Sequence, residues 1–358
     1  METIYFEPII KEKSRNNNET LPWVEKFRPG KLDDVLSHEH IISMLRVYIE
    51  KHTFPHLLFY GPPGTGKTST ILATARQMYG TAFQFMVLII NASAQRGIEA
   101  VRNQIHKFVT TDTTYFGKTY NKFSFKLVIL DETDAMTHDA QALLRKVVEM
   151  YTSNARFCLI CNYIEKIIPA LQSRCTIFRF APLSQTSIIK RLNEIADSEN
   201  LNLIDDGCTS IIDHSGGDMR KVVNILQSVS MAYDVINEHN INQCLGYPQR
   251  EHIDIIVSIL VNETYATCYK ILHNMITDEG ISLDDIICEL EKRLRKSIID
   301  TDSESELRKL PLIKKASILS HLRSIEINQA TNSSDKIQMC GLIGIFKKEE
   351  FDLLSERK

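Results

Sequence analysis

The residues of this 358-residue chain best suited to chemistry are Gly61-Pro62-Pro63-Gly64-Thr65-Gly66-Lys67-Thr68, followed by Ser69. Their spacing, GxxxxGK[ST], serves to hold a row of phosphates. Glycines let backbone amides curl around an anion, and a helix opening at the loop adds a favourable dipole. Lys67 is expected at the β- and γ-phosphates, with the Thr68 hydroxyl on Mg²⁺. A second cluster, Leu127-Val-Ile-Leu-Asp131-Glu132-Thr-Asp134, ends an apolar run in acid. A buried strand of this kind delivers Asp131 to the carboxyl edge of a sheet, beside the phosphate loop. Asp131 is then expected to hold Mg²⁺, directly or through water, and Glu132 to orient and deprotonate an attacking water. Asp134 suits the start of a helix. Asn162 closes a third apolar run, where its amide suits a γ-phosphate or the water; a turn-forming asparagine is the other reading.

These side chains need elements to position them. Five apolar runs stand in the first half, at 56–60, 86–90, 126–130, 157–161 and 176–180, separated by helical patterns. Continuous rather than alternating runs predict strands buried on both faces, hence a mostly parallel sheet covered by helices. Residues 1–20 are polar and read as a mobile tail. Pro182 marks a break, after which 184–247 read as three short helices with turns at Asp205-Asp-Gly207 and Ser215-Gly-Gly217. Gly246-Tyr-Pro248 marks another break, and beyond it the pattern is helical to Lys358, with connections at 303–309 and 332–334. The expected organisation is a tail 1–20, a nucleotide-binding core 21–181, a helical lid 182–247 and an all-helical domain 248–358.

Composition excludes several classes. Apolar residues at 43% and charged residues at 24% are ordinary for a globular chain. No apolar run reaches the ~20 residues that span a bilayer. The opening METIYFEPIIKEKSRNNNET lacks the apolar core of a secretory signal. The net charge of −3 argues against a nucleic-acid binder taken whole, but the charge is uneven. Residues 51–181 carry 15 Lys and Arg against 8 Asp and Glu, and residues 182–247 carry 4 against 9. A basic domain beside an acidic one suits a local anion-binding face. The 8 cysteines are expected as reduced thiols. Cys158 and Cys161 have a metal-like gap, but no second such pair completes four ligands, so buried strand is expected there.

Taken in order, GPPGTGKT, LVILDETD, CNY, LQSRCT and GGDMRK resemble AAA+ ATPases, specifically the small subunits of replication factor C, the eukaryotic sliding-clamp loader. Leu21-Pro-Trp-Val-Glu-Lys-Phe-Arg28-Pro29 and Asn91-Ala-Ser-Ala-Gln-Arg-Gly-Ile98 strengthen the resemblance. It runs motif by motif over residues 21–250 and rests beyond that on the helical pattern. Ser173-Arg174-Cys175, the clamp-loader arginine-finger motif, is far more specific than the phosphate loop. The run CNYIEKIIPALQSRCTIFRF is most similar to the small subunit in the middle of the five-membered arc.

The resemblance implies an α/β AAA+ P-loop ATPase domain, a small helical lid and an all-helical collar domain for oligomerisation. It implies DNA-stimulated ATP hydrolysis with Mg²⁺ in a nuclear hetero-pentamer. That assembly would open the PCNA clamp and load it on primer-template DNA for replication and repair. By resemblance Val24, Arg28 and Pro29 line the adenine pocket, and the 61–69 loop holds phosphate. Asp131 and Glu132 are the Walker B pair, Asn162 is sensor 1 and Arg220 is sensor 2. Asn91 is the switch that holds Glu132 inactive until DNA arrives, and Arg174 acts in trans on a neighbour's ATP. Arg96, Gly97, Ile98 and Arg102 face the DNA backbone. Tyr115 and Phe116, aromatic residues in a polar loop, suit either clamp contact or a cap on the core.

Two departures stand out. The family's usual DEAD is DETD here, with Thr133 expected to matter little for Mg²⁺, and Ala94-Gln95 replaces the usual acidic residues. Other classes fit less well. A nucleotide-gated scaffold with little turnover can lose either Glu132 or Arg174, and both are present. A monomeric P-loop enzyme has no use for an arginine finger. A bacterial-type loader carries a four-cysteine zinc module, whereas residues 69–157 hold no cysteine. An origin-binding protein would append a winged helix, for which 250–358 shows no strand signal.

Overall fold

The computed structural model describes residues 21–36, 38–93, 98–111, 123–278, 280–299, 306–330 and 334–355. The tail expected at 1–20 lies outside the described residues, as do Arg96, Gly97, Tyr115 and Phe116. The chain divides into two compact units between Ile236 and Asn237.

In the first unit, α1 (Trp23–Lys26) and α2 (Glu39–Glu50) precede β1 (Leu57–Tyr60), which the phosphate loop joins to α3 (Lys67–Tyr79). Then come α4 (Phe83–Met86), β2 (Val87–Asn91), α5 (Ile98–Thr110), β3 (Lys126–Asp131) and α6 (His138–Tyr151). β4 (Ala155–Cys161), α7 (Pro169–Gln172) and β5 (Thr176–Arg179) complete the core. The five strands are parallel in the order β2-β3-β4-β1-β5.

Alternate residues of each strand face opposite cores. On one side Leu57, Phe59, Leu127 and Ile129 pack with Ile41 and Leu45 of α2 and Ile71 of α3. On the other, Leu58, Val128, Leu130 and Leu159 pack with Ile105 of α5 and Leu144 and Val148 of α6. Each such buried side chain contributes roughly 1.5–3 kcal/mol, so the strand ends that carry the site are held firmly. Cys158 points into the first core and Cys161 into the second, so the two thiols cannot share one ion. Burial on both faces holds for β3, β4 and β1 and fails at the edges. Ile89 of β2 and Ile177 of β5, on the two edge strands, are 43% and 42% exposed.

The lid departs from the expected three short helices. It has α8 (Gln185–Glu199), α9 (Asp205–Ser215) and α10 (Met219–Ala232), plus a parallel pair of two-residue strands, Asn202–Leu203 and Val235–Ile236. Asp205-Asp-Gly207 is the first turn of α9 rather than a loop, because both carboxylates complement the positive end of the helix dipole. A fourth helix, α11 (Glu238–Leu245), lies in the second unit. Gly246 in the left-handed region ends it, at the expected break. The second unit continues with α12 (Arg250–Asn262), α13 (Tyr265–Asp278), α14 (Leu283–Ile299), α15 (Leu312–Ala330) and α16 (Asp335–Ser355). They share a core that includes Ile253, Leu272, Leu290, Leu322 and Leu342. No described helix is long and apolar enough to cross a membrane.

Candidate nucleotide site

The register brings the chemistry together. Tyr60 pairs with Cys161, so Gly61 and Asn162 leave the sheet side by side. Two glycines of the loop have no substitute. Gly61 has φ +143, and a Cβ there would stand 2.0 Å from the Phe180 carbonyl oxygen. Gly64 has φ +68, and its Cβ would stand 1.6 Å from Asp218 Oδ1. The Thr65 hydroxyl donates to the Pro62 carbonyl at 2.9 Å and pins the loop from within. Lys67 opens α3 almost fully buried. Its Nζ donates to the carbonyls of Gly61 (2.7 Å) and Pro62 (2.8 Å) and to Asn162 Oδ1 (3.0 Å). Burial lowers its pKa below the ordinary lysine value, and the Asp131 carboxylate opposes that shift.

Thr68 Oγ1 donates to Asp131 Oδ2 at 2.8 Å, so the hydroxyl and carboxylate expected on Mg²⁺ stand together. Asp131 Oδ1 accepts from the Glu132 amide at 2.9 Å. Glu132 itself lies in the left-handed region, with φ 55 and ψ 40. For a non-glycine residue that conformation is uncommon and costs of order 1–3 kcal/mol. The Thr133 hydroxyl is buried and donates to the Ile160 carbonyl at 2.9 Å, tying the acidic turn to β4. Asp134 has a task that a helix-start reading missed. Its Oδ2 accepts from the amides of Asn162 (3.2 Å) and Tyr163 (3.4 Å), fixing the backbone that carries Asn162.

The lid meets the loop directly. Asp218 caps α10, its Oδ1 accepting from the amides of Arg220 (2.8 Å) and Lys221 (3.4 Å). Met219 N donates to the Gly64 carbonyl at 3.3 Å. One cleft is lined by Val24, Arg28, Pro29, residues 63–69, Asp131, Glu132, Asn162 and Arg220, all expected from sequence. Gly61 and Pro62 stand behind it and act through their carbonyls on Lys67. No motif marked Asp34, Val35, Leu36, Leu183 or Arg191, which also line it, and Met219, inside GGDMRK, was given no role of its own. Val223, another lining residue, follows Arg220 by three positions on α10, and that spacing alone could have found it.

Two expected residues stand elsewhere. Asn91 ends β2 opposite Asp131, but its Oδ1 accepts from the amide (2.9 Å) and hydroxyl (2.8 Å) of Ser93. Among the described residues no hydrogen bond joins Asn91 to Glu132. Arg174 does not line the cleft. Its Nε donates to Glu149 Oε1 at 2.7 Å and its Nη1 to the Ala170 carbonyl at 2.6 Å, on the domain surface. Ile98 opens α5, and Arg102 is exposed on it.

Residues 57–183 match the AAA family, the ATPase family associated with various cellular activities, and residues 248–344 match the Replication factor C C-terminal domain. The chain is 43% identical over 328 residues to human Replication factor C subunit 5, covering 91% of this chain and 92% of that protein. It is 40% identical over 338 residues to Saccharomyces cerevisiae Replication factor C subunit 3, covering 93% and 95%. The chain belongs to the replication factor C family. The relatives named subunit 5 in human and subunit 3 in budding yeast agree with the small-subunit resemblance of its motifs. A mutant of Thermotoga maritima RuvB superposes with a TM-score of 0.50 at 14% identity, over 74% of this chain and 91% of that one; this likeness shows the AAA+ fold alone. The chain is a clamp-loader ATPase subunit of a replication factor C complex, and its fold implies nucleotide binding in this class of cleft.

Proposed function

We propose that the cleft binds ATP with Mg²⁺ and that Glu132 drives hydrolysis, within a nuclear hetero-pentamer that opens PCNA and loads it on primer-template DNA. The convergence of Lys67, Thr68, Asp131, Glu132, Asn162 and Arg220 on one cleft carries this reading. The Thr68 hydroxyl and Asp131 carboxylate, 2.8 Å apart, are the hard oxygen donors Mg²⁺ prefers. Among the described residues no three His, Cys, Asp or Glu converge as a metal cage, and a triphosphate site needs none, since phosphates and water supply the other ligands. Mg²⁺, when bound, offsets the charge of the triphosphate.

The chain's own groups divide the work. The Lys67 ammonium exchanges two carbonyls and the Asn162 amide for β- and γ-phosphate oxygens. Asn162, released, turns its amide to the γ-phosphate or the attacking water while Asp134 holds its backbone. Glu132 takes the proton of that water. Arg220 reaches the same phosphates from the lid, and Val24, Arg28 and Pro29 contact the adenine. Arg174 serves a neighbouring subunit's ATP, and Asn91 restrains Glu132 before DNA binds. Arg96, Gly97, Ile98 and Arg102 face the DNA backbone, Tyr115 and Phe116 the clamp, and residues 248–358 form the collar. Replacing Lys67 with Ala removes the point charge on the phosphates. ATP affinity in the assembled complex should fall by roughly tenfold or more, about 1.4 kcal/mol. Unchanged affinity in an equilibrium titration would remove the site assignment.

A further inference from the structure

The segment 22–29 contributes Val24, Arg28 and Pro29 to the cleft, and it is fastened to the lid. The Trp23 amide donates to Gln227 Oε1 of α10 at 3.1 Å. Lys26 Nζ pairs with Glu199 at the end of α8 at 2.6 Å. Arg191 Nη2, from the middle of α8, donates to the Phe27 carbonyl at 2.6 Å. The guanidinium is itself aimed by Glu194, which accepts from Nη1 at 2.8 Å. Arg191 is 18% exposed and lines the cleft without belonging to any motif. It is the one of the three fastenings that also faces the ligand space. A charged donor to a carbonyl is a strong, short hydrogen bond, and screening is reduced where the side chain is mostly covered.

We propose that Arg191 is a positioning residue for the nucleobase. It locks the 22–29 segment to α8, so that the base-contacting wall and Arg220 move as one body with the lid. This rests on reading the cleft as the ATP site. The triphosphate is held by the loop between β1 and α3, whose geometry does not depend on Arg191. Loss of Arg191 should therefore weaken recognition of the base and leave recognition of the phosphates alone, a split that general loss of stability would not produce.

The full chain provides its own reporter, since Trp23 is its single tryptophan and its ring packs edge-on against Phe27 at 6.1 Å. The experiment titrates the full chain and its Arg191→Ala, Arg191→Lys, Glu199→Gln and Lys67→Ala variants with ATP and with inorganic tripolyphosphate, which has no base. Arg191→Ala should weaken ATP roughly tenfold, leave tripolyphosphate within about twofold, and open Trp23 to acrylamide quenching. Arg191→Lys, which keeps a donor for the Phe27 carbonyl, should recover part of the ATP affinity. Glu199→Gln should move ATP alone in the same direction, and it carries the test if Arg191→Ala does not fold. Equal weakening of ATP and tripolyphosphate, or unchanged ATP affinity in a folded variant, would overturn the inference while Lys67→Ala still weakens both ligands. ATP binding indifferent to Lys67→Ala would remove the site reading and the inference with it.

Discussion

At the scale of single residues, Glu132 carries the most pointed expectation. Its left-handed backbone is a conformation that a glutamate holds only when the surroundings impose it. Here the Asp131 carboxylate receives its amide on one side, and the buried Thr133 hydroxyl anchors the next residue to β4 on the other. The strain is thus built into the turn that aims the carboxylate. Glu132→Gln keeps the shape and removes the base. It should lower hydrolysis by ~10²-fold or more and leave ATP affinity within a few-fold, read by single-turnover assay and equilibrium binding. Glu132→Asn, better tolerated in that region, should raise the melting temperature of the chain while abolishing hydrolysis. A variant that lost affinity and kept its turnover per bound ATP would contradict the role. The types and spacing of the loop and of Asp131-Glu132 made these residues legible in the sequence, because phosphate chemistry constrains contiguous positions. Asp134 was not legible as the anchor of Asn162, because its partners lie 28 and 29 positions away, just beyond the end of β4, and only the β3–β4 register brings them near.

At the scale of elements, His56 shows how the strand ends are set. It precedes β1, and its Nδ1 accepts from the Phe157 amide of β4 at 3.1 Å, so that nitrogen carries no proton. Its Nε2 stands 3.4 Å from Thr152 Oγ1, which in turn donates to the Val148 carbonyl at 2.6 Å, so Nε2 is the donor. Burial, followed by the nearby Arg156 guanidinium, lowers its pKa from the ordinary 6.5 to about 4. The folded state therefore binds this proton less well than the unfolded state. Its contribution is fully present above pH 6.5 and is lost as pH falls through 6.5 towards 4. For a partly exposed ring the loss is on the order of 1–2 kcal/mol after allowing for screening. Urea denaturation of the parent and of His56→Asn, whose amide oxygen can replace the acceptor, should give a stability difference that shifts in the variant's favour across that window. A difference that stays constant would show that His56 does not titrate there. The five core strands were readable as apolar runs, and burial on both faces accounts for the continuous signature of β1, β3 and β4. The two-residue strands of the lid were not, because a pair of residues has no period. The first turn of α9 was misread because Asp-Asp-Gly favours turns and helix starts alike.

At the scale of the whole molecule, the sequence separated a sheet-bearing part from an all-helical part, because strand-like runs cease after Pro182 except for that short pair. It could not place the division between compact units at Ile236, since α11 has the same helical pattern as its neighbours on either side. Arg174 is proposed to act within an assembly, on a neighbouring subunit's ATP. It pairs with Glu149 on the surface and stands outside its own cleft, which already has Lys67 and Arg220. An exposed ion pair of this kind is worth about 0–1 kcal/mol, so the guanidinium can leave Glu149 at little cost. An arginine supplied to a neighbour's γ-phosphate is worth ~10³–10⁵ in rate in other NTPases. The second magnitude exceeds the first by several kcal/mol, so the pairing seen in the lone chain does not oppose a role in trans. The measurement uses assembled complexes in which only one subunit at a time can bind ATP. Arg174→Ala should reduce hydrolysis at the adjacent site at least a hundredfold and leave hydrolysis at this chain's own site intact. Glu149→Ala, which frees the guanidinium, should leave the adjacent site unchanged or faster. If instead this chain's own turnover stopped while its neighbour's continued, Arg174 would be acting in cis and the assignment would fall.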